Sequence, residues 1–184
     1  MKLRKSFLLI ILSLIMGSML FTGCGIKVQR YHASADNVNT LKRLNTKINV
    51  KHFTANKSEY KVLCRLANDV TTPNKEPFEK YIEDAFIEEL KMAGMYSSAA
   101  KITISGHLNT MNVSSGMTDA HWTLNMKVAS SNGKSFTIQH THKYSASFLG
   151  GIACQEDMPD AFEPTVQELI AKIIRDPRFK GLIR

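Results

Sequence analysis

The first residues of this chain constrain it most, because they combine a basic start with a short and strongly apolar run. Lys2, Arg4 and Lys5 carry the charge, and residues 7–20 are apolar apart from two serines and one glycine. This layout is typical of a secretory signal, since the run is too short for a comfortable membrane-spanning helix. We therefore expect residues 1–23 to be removed as a signal peptide and the remaining chain to fold after export.

The apolar run leads directly into Leu20-Phe21-Thr22-Gly23-Cys24. This order resembles the cleavage site of bacterial lipoprotein precursors, in which the peptide is cut before the cysteine and the cysteine carries lipid. The resemblance covers residues 1–24 and departs from the usual pattern at Phe21, where leucine is commonest. It implies that Cys24 is the lipid attachment site, with several acyl chains (palmitate among them), because one chain alone gives only marginal binding. The alternatives are an ordinary secreted protein cut nearby and an uncleaved anchor.

The residue after the cysteine bears on location. In enterobacterial lipoproteins an aspartate at this position tends to retain the protein at the inner membrane, and here the residue is Gly25. The resemblance therefore implies a lipid anchor in the outer membrane, with the domain facing the periplasm.

Charge and length limit what the exported part can be. The formal net charge of +8 falls to +5 when the three basic residues of the signal are removed. This mild excess suits an anionic membrane surface but is also ordinary for a soluble domain. We expect no nucleic-acid partner, because no basic stripe with interleaved aromatic residues is visible. Residues 24–184 are enough for one domain with its own core.

The first half of the exported chain is weakly patterned. Residues 24–46 are polar and predict a lipidated N-terminus with a flexible tether, which leaves 47–184 as a single domain. Weak alternation over 47–54 and better alternation over 60–66 predict a hairpin. The breaker-rich stretch 69–77 predicts a loop.

The second half gives clearer patterns. Apolar stripes at helical spacing predict helices over 77–93 and 159–175, and Pro164 either kinks the second helix or marks where its regular part begins. Strict alternation predicts strands over 101–113, 120–130 and 136–148. The order ββαβββα indicates an α+β fold, with an antiparallel sheet of about five strands and two helices packed on one face.

Two features fix the register of the last strands. The apolar parity changes within 107–110, which predicts a bulge. A three-residue loop over 131–133, with Gly133 left-handed, keeps both apolar sets on one face because it pairs Val128 with Phe136.

Cys64 and Cys154 are the cysteines that remain besides Cys24. One pair in an exported protein is consistent with one disulfide, worth about 4 kcal/mol in the chain-entropy model. Their apolar neighbours fit two buried free thiols equally well, so both readings stay open.

His140 and His142 are the nearest approach to a metal site in the sequence. Two residues apart on a strand, they point the same way, and the preferred register sets them opposite Leu124 and Trp122. No aspartate or glutamate sits at a standard spacing, and a further ligand would have to come from His52, His107 or His121. We expect His142 to pack on Trp122 instead, with no metal and no cofactor.

The sequence shows little catalytic chemistry. It has no Gly-x-Ser-x-Gly motif, the acidic residues in 83–89 fit a solvated helix face, and Cys64 and Cys154 lack the basic neighbours that activate a thiolate. We expect no catalytic residue and no enzymatic activity. The apolar, glycine-containing stretch 148–152 could be core or a contact surface, and we interpret it as core.

As a whole, the exported domain loosely resembles small periplasm-facing lipoproteins that serve as auxiliaries of envelope transport and assembly. The resemblance is architectural and implies binding of a partner protein in the envelope, or of an amphipathic ligand, by a domain held at the bilayer through Cys24. Two rivals are a metal-binding or enzymatic protein using His140 and His142, and a structural surface lipoprotein.

Overall fold

The computed structural model describes residues 25–184, in which strands and helices form an α+β fold. The strands are β1 (Ile26–Lys27), β2 (Asn49–Val50), β3 (Thr54–Ala55), β4 (Lys61–Cys64), β5 (Asn68–Thr71), β6 (Thr103–Ser114), β7 (His121–Ser130) and β8 (Ser135–Lys143). The helices are α1 (Ala35–Lys42), α2 (Phe78–Met92), α3 (Gly150–Ile152), α4 (Met158–Asp160), α5 (Phe162–Arg175) and α6 (Phe179–Leu182). A π-helical turn, Ala153–Asp157, links α3 to α4.

The larger sheet has five strands in a mixed arrangement. β6, β7 and β8 are antiparallel neighbours, as the alternation predicts. β2 and β3, however, pair with β6 in parallel, with Asn49 opposite Thr103 and Thr54 opposite His107. The prediction of a purely antiparallel sheet is therefore wrong. The chain between β3 and β6 contains α2, and a crossover of that length permits parallel pairing.

The smaller sheet has three strands in the order β1-β5-β4. β4 and β5 form an antiparallel hairpin that pairs Cys64 with Asn68, and β1 adds in parallel, with Ile26 opposite Val70. The predicted hairpin between residues 47–54 and 60–66 is thus wrong. β4 instead pairs with β5, which includes the first part of the stretch predicted as loop.

Residues 26–44 belong to the folded body. Val28, Val38 and Leu41 are buried, and α1 lies against α2 and α5. The side-chain amide of Asn37 is also buried, where it donates to the Gln167 backbone carbonyl at 2.9 Å. The expectation of a flexible tether over 24–46 is corrected accordingly. A few well-spaced apolar residues with satisfied polar neighbours suffice to pack this segment.

The register predictions for the long strands are confirmed. The pairing of β6 with β7 shifts between Leu108 and Thr110, where the bulge was expected. Val128 pairs with Phe136, and Gly133 in the connecting turn has a φ of 87°. This left-handed conformation is one that glycine adopts without strain.

The two long helices cover the buried face of the larger sheet. α2 matches its predicted span closely, and α5 begins at Phe162, so that Pro164 lies in its first turn rather than at a kink. Aromatic rings join both helices to the sheet: the Phe162 ring centroid lies 4.7 Å from that of Trp122 and 5.2 Å from that of Phe78. Across residues 25–184, no helix has the length and apolarity needed to span a bilayer.

Candidate functional site

A histidine–glutamate cluster forms where β8 lies next to α5. His140 and His142 pair with Leu124 and Trp122, which confirms the predicted register. Glu168 on α5 reaches both rings: its Oε2 lies 2.7 Å from Nε2 of His140 and 3.0 Å from Nδ1 of His142. All three ligand atoms lie within 4.8 Å of one another. The cluster therefore gathers two imidazoles and one carboxylate at one point.

Burial and charge shift the pKa values of His140 and Glu168. Burial lowers the pKa of His140, and the hydrogen bond and charge of Glu168 raise it only part of the way back towards its usual value of 6.5. Burial raises the pKa of Glu168, but the hydrogen bonds and charges of His142 and His140 outweigh it, so that this pKa lies below 4.5. Both effects favour neutral His140 beside an ionised carboxylate.

The cluster is accessible from solvent. A groove of about 540 Å³ runs past His140 and Glu168 and is bordered on α5 by Lys172 and Arg175. The second ring nitrogen of His140, Nδ1, is buried and has no hydrogen-bond partner among the described residues. The donor set of the cluster suits a borderline divalent cation such as zinc, with solvent completing the shell.

The three other histidines that were considered as ligands lie elsewhere. Nδ1 of His52 is 3.1 Å from Oε2 of Glu83, His107 bonds to Thr54 and Asn56, and His121 bonds to Asn112.

Sequence reasoning missed Glu168. Its one signal is its position beside Leu169, at the edge of the apolar stripe of α5, where a side chain can reach the sheet.

The cysteines divide into two groups. Cys64 and Cys154 form a disulfide with their Cα atoms 5.6 Å apart, which decides between the two open readings. The bond ties the end of β4 to the π-helical turn. Cys24, the predicted lipid attachment site, lies outside the described residues.

An exposed apolar surface surrounds the disulfide. Residues 25–184 contain eight large apolar side chains that are exposed, and six of them lie within two residues of this bond or of the contacts made by the neighbouring Arg65. One of the six, Leu63, lies on β4. We call the five that lie outside the strands the apolar tip: Leu66, Met117, Phe148, Leu149 and Ile152. Phe148 is 78% exposed, so the interpretation of residues 148–152 as core is wrong.

Comparison with known proteins adds a structural likeness. No family model and no curated protein matches the sequence. A crystal structure of a Xanthomonas campestris protein assigned to family DUF330 matches with a TM-score of 0.50 and 14% identity, covering 74% of this chain and 85% of that one. At this identity the likeness shows a shared fold with a bacterial protein.

Proposed function

We propose that this chain is a membrane-anchored bacterial lipoprotein that has no enzymatic activity and binds a partner protein or an amphipathic ligand. It would serve as an auxiliary of transport or assembly in the cell envelope. The residue order from Leu20 to Cys24 supports cleavage before Cys24 and acylation of its sulfur. The Cys64–Cys154 disulfide is consistent with export, because disulfides persist in oxidising compartments.

The observation that carries this proposal is the order Leu20-Phe21-Thr22-Gly23-Cys24, and the fold begins soon after it. Ile26 is already paired with Val70, and Val28 is buried in the core. Lipid on Cys24 would therefore join the folded domain to the bilayer through a very short link. Such confinement raises the effective concentration of the domain for partners in the same membrane. Gly25 after the anchor supports the outer membrane, with the domain facing the periplasm.

Metabolic labelling with palmitate tests the anchor. The wild-type chain and the Cys64→Ala/Cys154→Ala control, which keeps only Cys24, should both carry label. Cys24→Ser should carry none, and label persisting on this variant would overturn the proposal.

In-cell crosslinking tests the binding role. The expected product is a specific partner that is recovered again with the unlipidated Cys24→Ser chain. A chain that captures neither a protein nor an amphipathic ligand would favour a purely structural lipoprotein.

Metal binding is a second candidate function, favoured by the position of Glu168. The carboxylate supplies the third ligand that the two histidines lack in sequence. It ranks second because a cation on Nε2 of His140 would leave the ring proton on Nδ1, which is buried with no acceptor among the described residues. Metal-bound histidines usually donate this proton to a partner, and its absence costs affinity.

Calorimetric titration with zinc alone tests this second function. Binding should be lost in His140→Ala and in His142→Ala but kept in His121→Ala, which removes a histidine from the same sheet. No heat and no change in unfolding temperature on adding zinc would exclude the site.

A further inference from the structure

The apolar tip is held rigidly outward. Leu66 is 90% exposed in the three-residue turn between β4 and β5, where Arg65 and Leu66 have φ values of 46° and 57°. Non-glycine residues seldom adopt this left-handed conformation, and it persists only where the surroundings impose it. The disulfide at Cys64 and the contacts of Arg65 supply that constraint, because Arg65 bonds to the Ser115 and Phe148 carbonyls at 3.2 and 2.9 Å.

The described chain begins at the same end of the molecule. β1 runs parallel to β5, with Ile26 opposite Val70 and Lys27 opposite Thr71. Because β5 leads away from the turn, Gly25 enters β1 from the side on which Leu66 lies. Cys24 is separated from Ile26 by this one residue in the sequence.

The charged side chains beside Leu66 are engaged within the domain, Arg65 by backbone carbonyls and Asp69 by Lys61 at 2.8 Å. Two further carboxylates, Asp119 and Glu156, are exposed within two residues of Met117 and Cys154. The five side chains of the tip are themselves apolar, so an occupant would be recognised through their burial. Large exposed apolar patches on soluble domains mark contact with proteins or with membranes, and an acylated Cys24 would bring the bilayer to this end.

We propose that the apolar tip inserts into the lipid bilayer beside the acylated Cys24, as a second membrane contact that fixes the orientation of the domain. This inference rests on the lipoprotein function proposed above. Apolar side chains buried at the boundary between headgroups and acyl chains add membrane affinity in proportion to the apolar area that they bury. Insertion of the tip would also direct the opposite end of the domain away from the membrane. This opposite end lies at the start of the 12-residue strand β6, about 35 Å from the tip.

Photocrosslinking in cells tests the inference on the full chain. A p-benzoylphenylalanine residue replaces Leu66, Phe148 or, as the matched control, Met92, which is 62% exposed near the opposite end. We expect several-fold more lipid adduct at the first two positions than at Met92. Correct folding is checked through the Cys64–Cys154 disulfide on a non-reducing gel.

The outcomes separate this inference from the lipoprotein function, because acylation of Cys24 is measured by mass spectrometry on the same samples. Lipid adducts no more abundant at the tip than at Met92, on a chain with acylated Cys24, overturn the tip contact and leave the anchor standing. Protein adducts at the tip overturn it too and identify the tip as a partner site. Lipid adducts at the tip on a chain without acylation support the contact and overturn the anchor.

Discussion

The hydroxyl of Tyr31 donates a hydrogen bond of 2.5 Å to Oε1 of Glu89, a carboxylate that α2 holds fully buried. The same oxygen accepts from the Ser34 backbone amide at 2.9 Å and from the Asn37 side chain at 3.2 Å. Burial, followed by the hydrogen bond and charge of Glu89, raises the pKa of Tyr31 far above its usual value. One buried carboxylate therefore fastens the N-terminal segment to the domain. The interpretation of the acidic residues in 83–89 as a solvated helix face is wrong for Glu83 and Glu89, which are both buried.

Glu89→Ala should destabilise the protein by about 3 kcal/mol, because it leaves three donors without this acceptor, one of them buried and two partly buried. Urea unfolding at constant m-value measures the loss. The neighbouring Glu88→Ala removes a carboxylate that is only partly buried and should change the free energy of unfolding by less than about 0.5 kcal/mol. A loss below about 1 kcal/mol in Glu89→Ala would show that the segment is held by other contacts.

This network shows why the N-terminal segment could not be predicted. Asn37 is polar, yet it is buried because Glu89 and the Gln167 carbonyl accept its hydrogen bonds, and both come from distant parts of the chain. The alternation of β7 and β8 was predictive because each strand is half buried and its turn is local, so that Val128 and Phe136 could be paired from sequence. Strand pairs of this kind can therefore be predicted from the local sequence pattern.

The histidine–glutamate cluster also has one part that the sequence predicts and one part that it does not. The shared direction of His140 and His142 follows from strand geometry alone. Glu168 meets them because of how α5 is rotated against the sheet, and this depends on the packing of the whole apolar stripe. The parallel pairing of β2 and β3 with β6 could not be predicted from the sequence either, because these two-residue strands pair with residues about fifty positions away.

Reduction of the Cys64–Cys154 disulfide should lower the free energy of unfolding by about 4 kcal/mol, because the bond closes a long loop in the unfolded chain. The two residues are 90 apart in sequence. Denaturant unfolding with and without reductant measures the loss. Cys64→Ala/Cys154→Ala is the control, since reductant should not change its stability. Equal stability of the oxidised and reduced wild-type protein would contradict the prediction.

Gly106→Ala should destabilise the protein by about 1–3 kcal/mol, because the added methyl group overpacks the core. Gly106 lies on β6, and its new Cβ would fall 2.7 Å from Cδ2 of Phe53 and would also collide with Met126. Gly151→Ala, whose Cβ meets no atom within 4 Å, is the control and should be neutral or slightly stabilising. Thermal unfolding compares the two variants. Equal midpoints would mean that Phe53 and Met126 move aside without a loss of stability.

His140 should make the protein less stable in mild acid. Its pKa is lowered by burial, an effect that Glu168 only partly offsets, so the unfolded chain takes up a proton at a higher pH than the folded one. The contribution to stability is fully present above the unfolded pKa of 6.5 and is lost as the pH falls through the folded pKa. The lowered pKa of Glu168 acts in the same direction below pH 4.5.

His140→Leu should therefore flatten the dependence of the unfolding free energy on pH between about 7 and 5. The leucine fills the buried site opposite Leu124 without titrating, and Glu168 stays half exposed and ionised in this range. Urea midpoints measured at several pH values provide the slope. His121→Leu removes a histidine from the same sheet, leaves the cluster intact and should keep the wild-type slope. If His140→Leu loses stability in acid as steeply as the wild type, the acid sensitivity arises from other groups, because the buried imidazole is then gone.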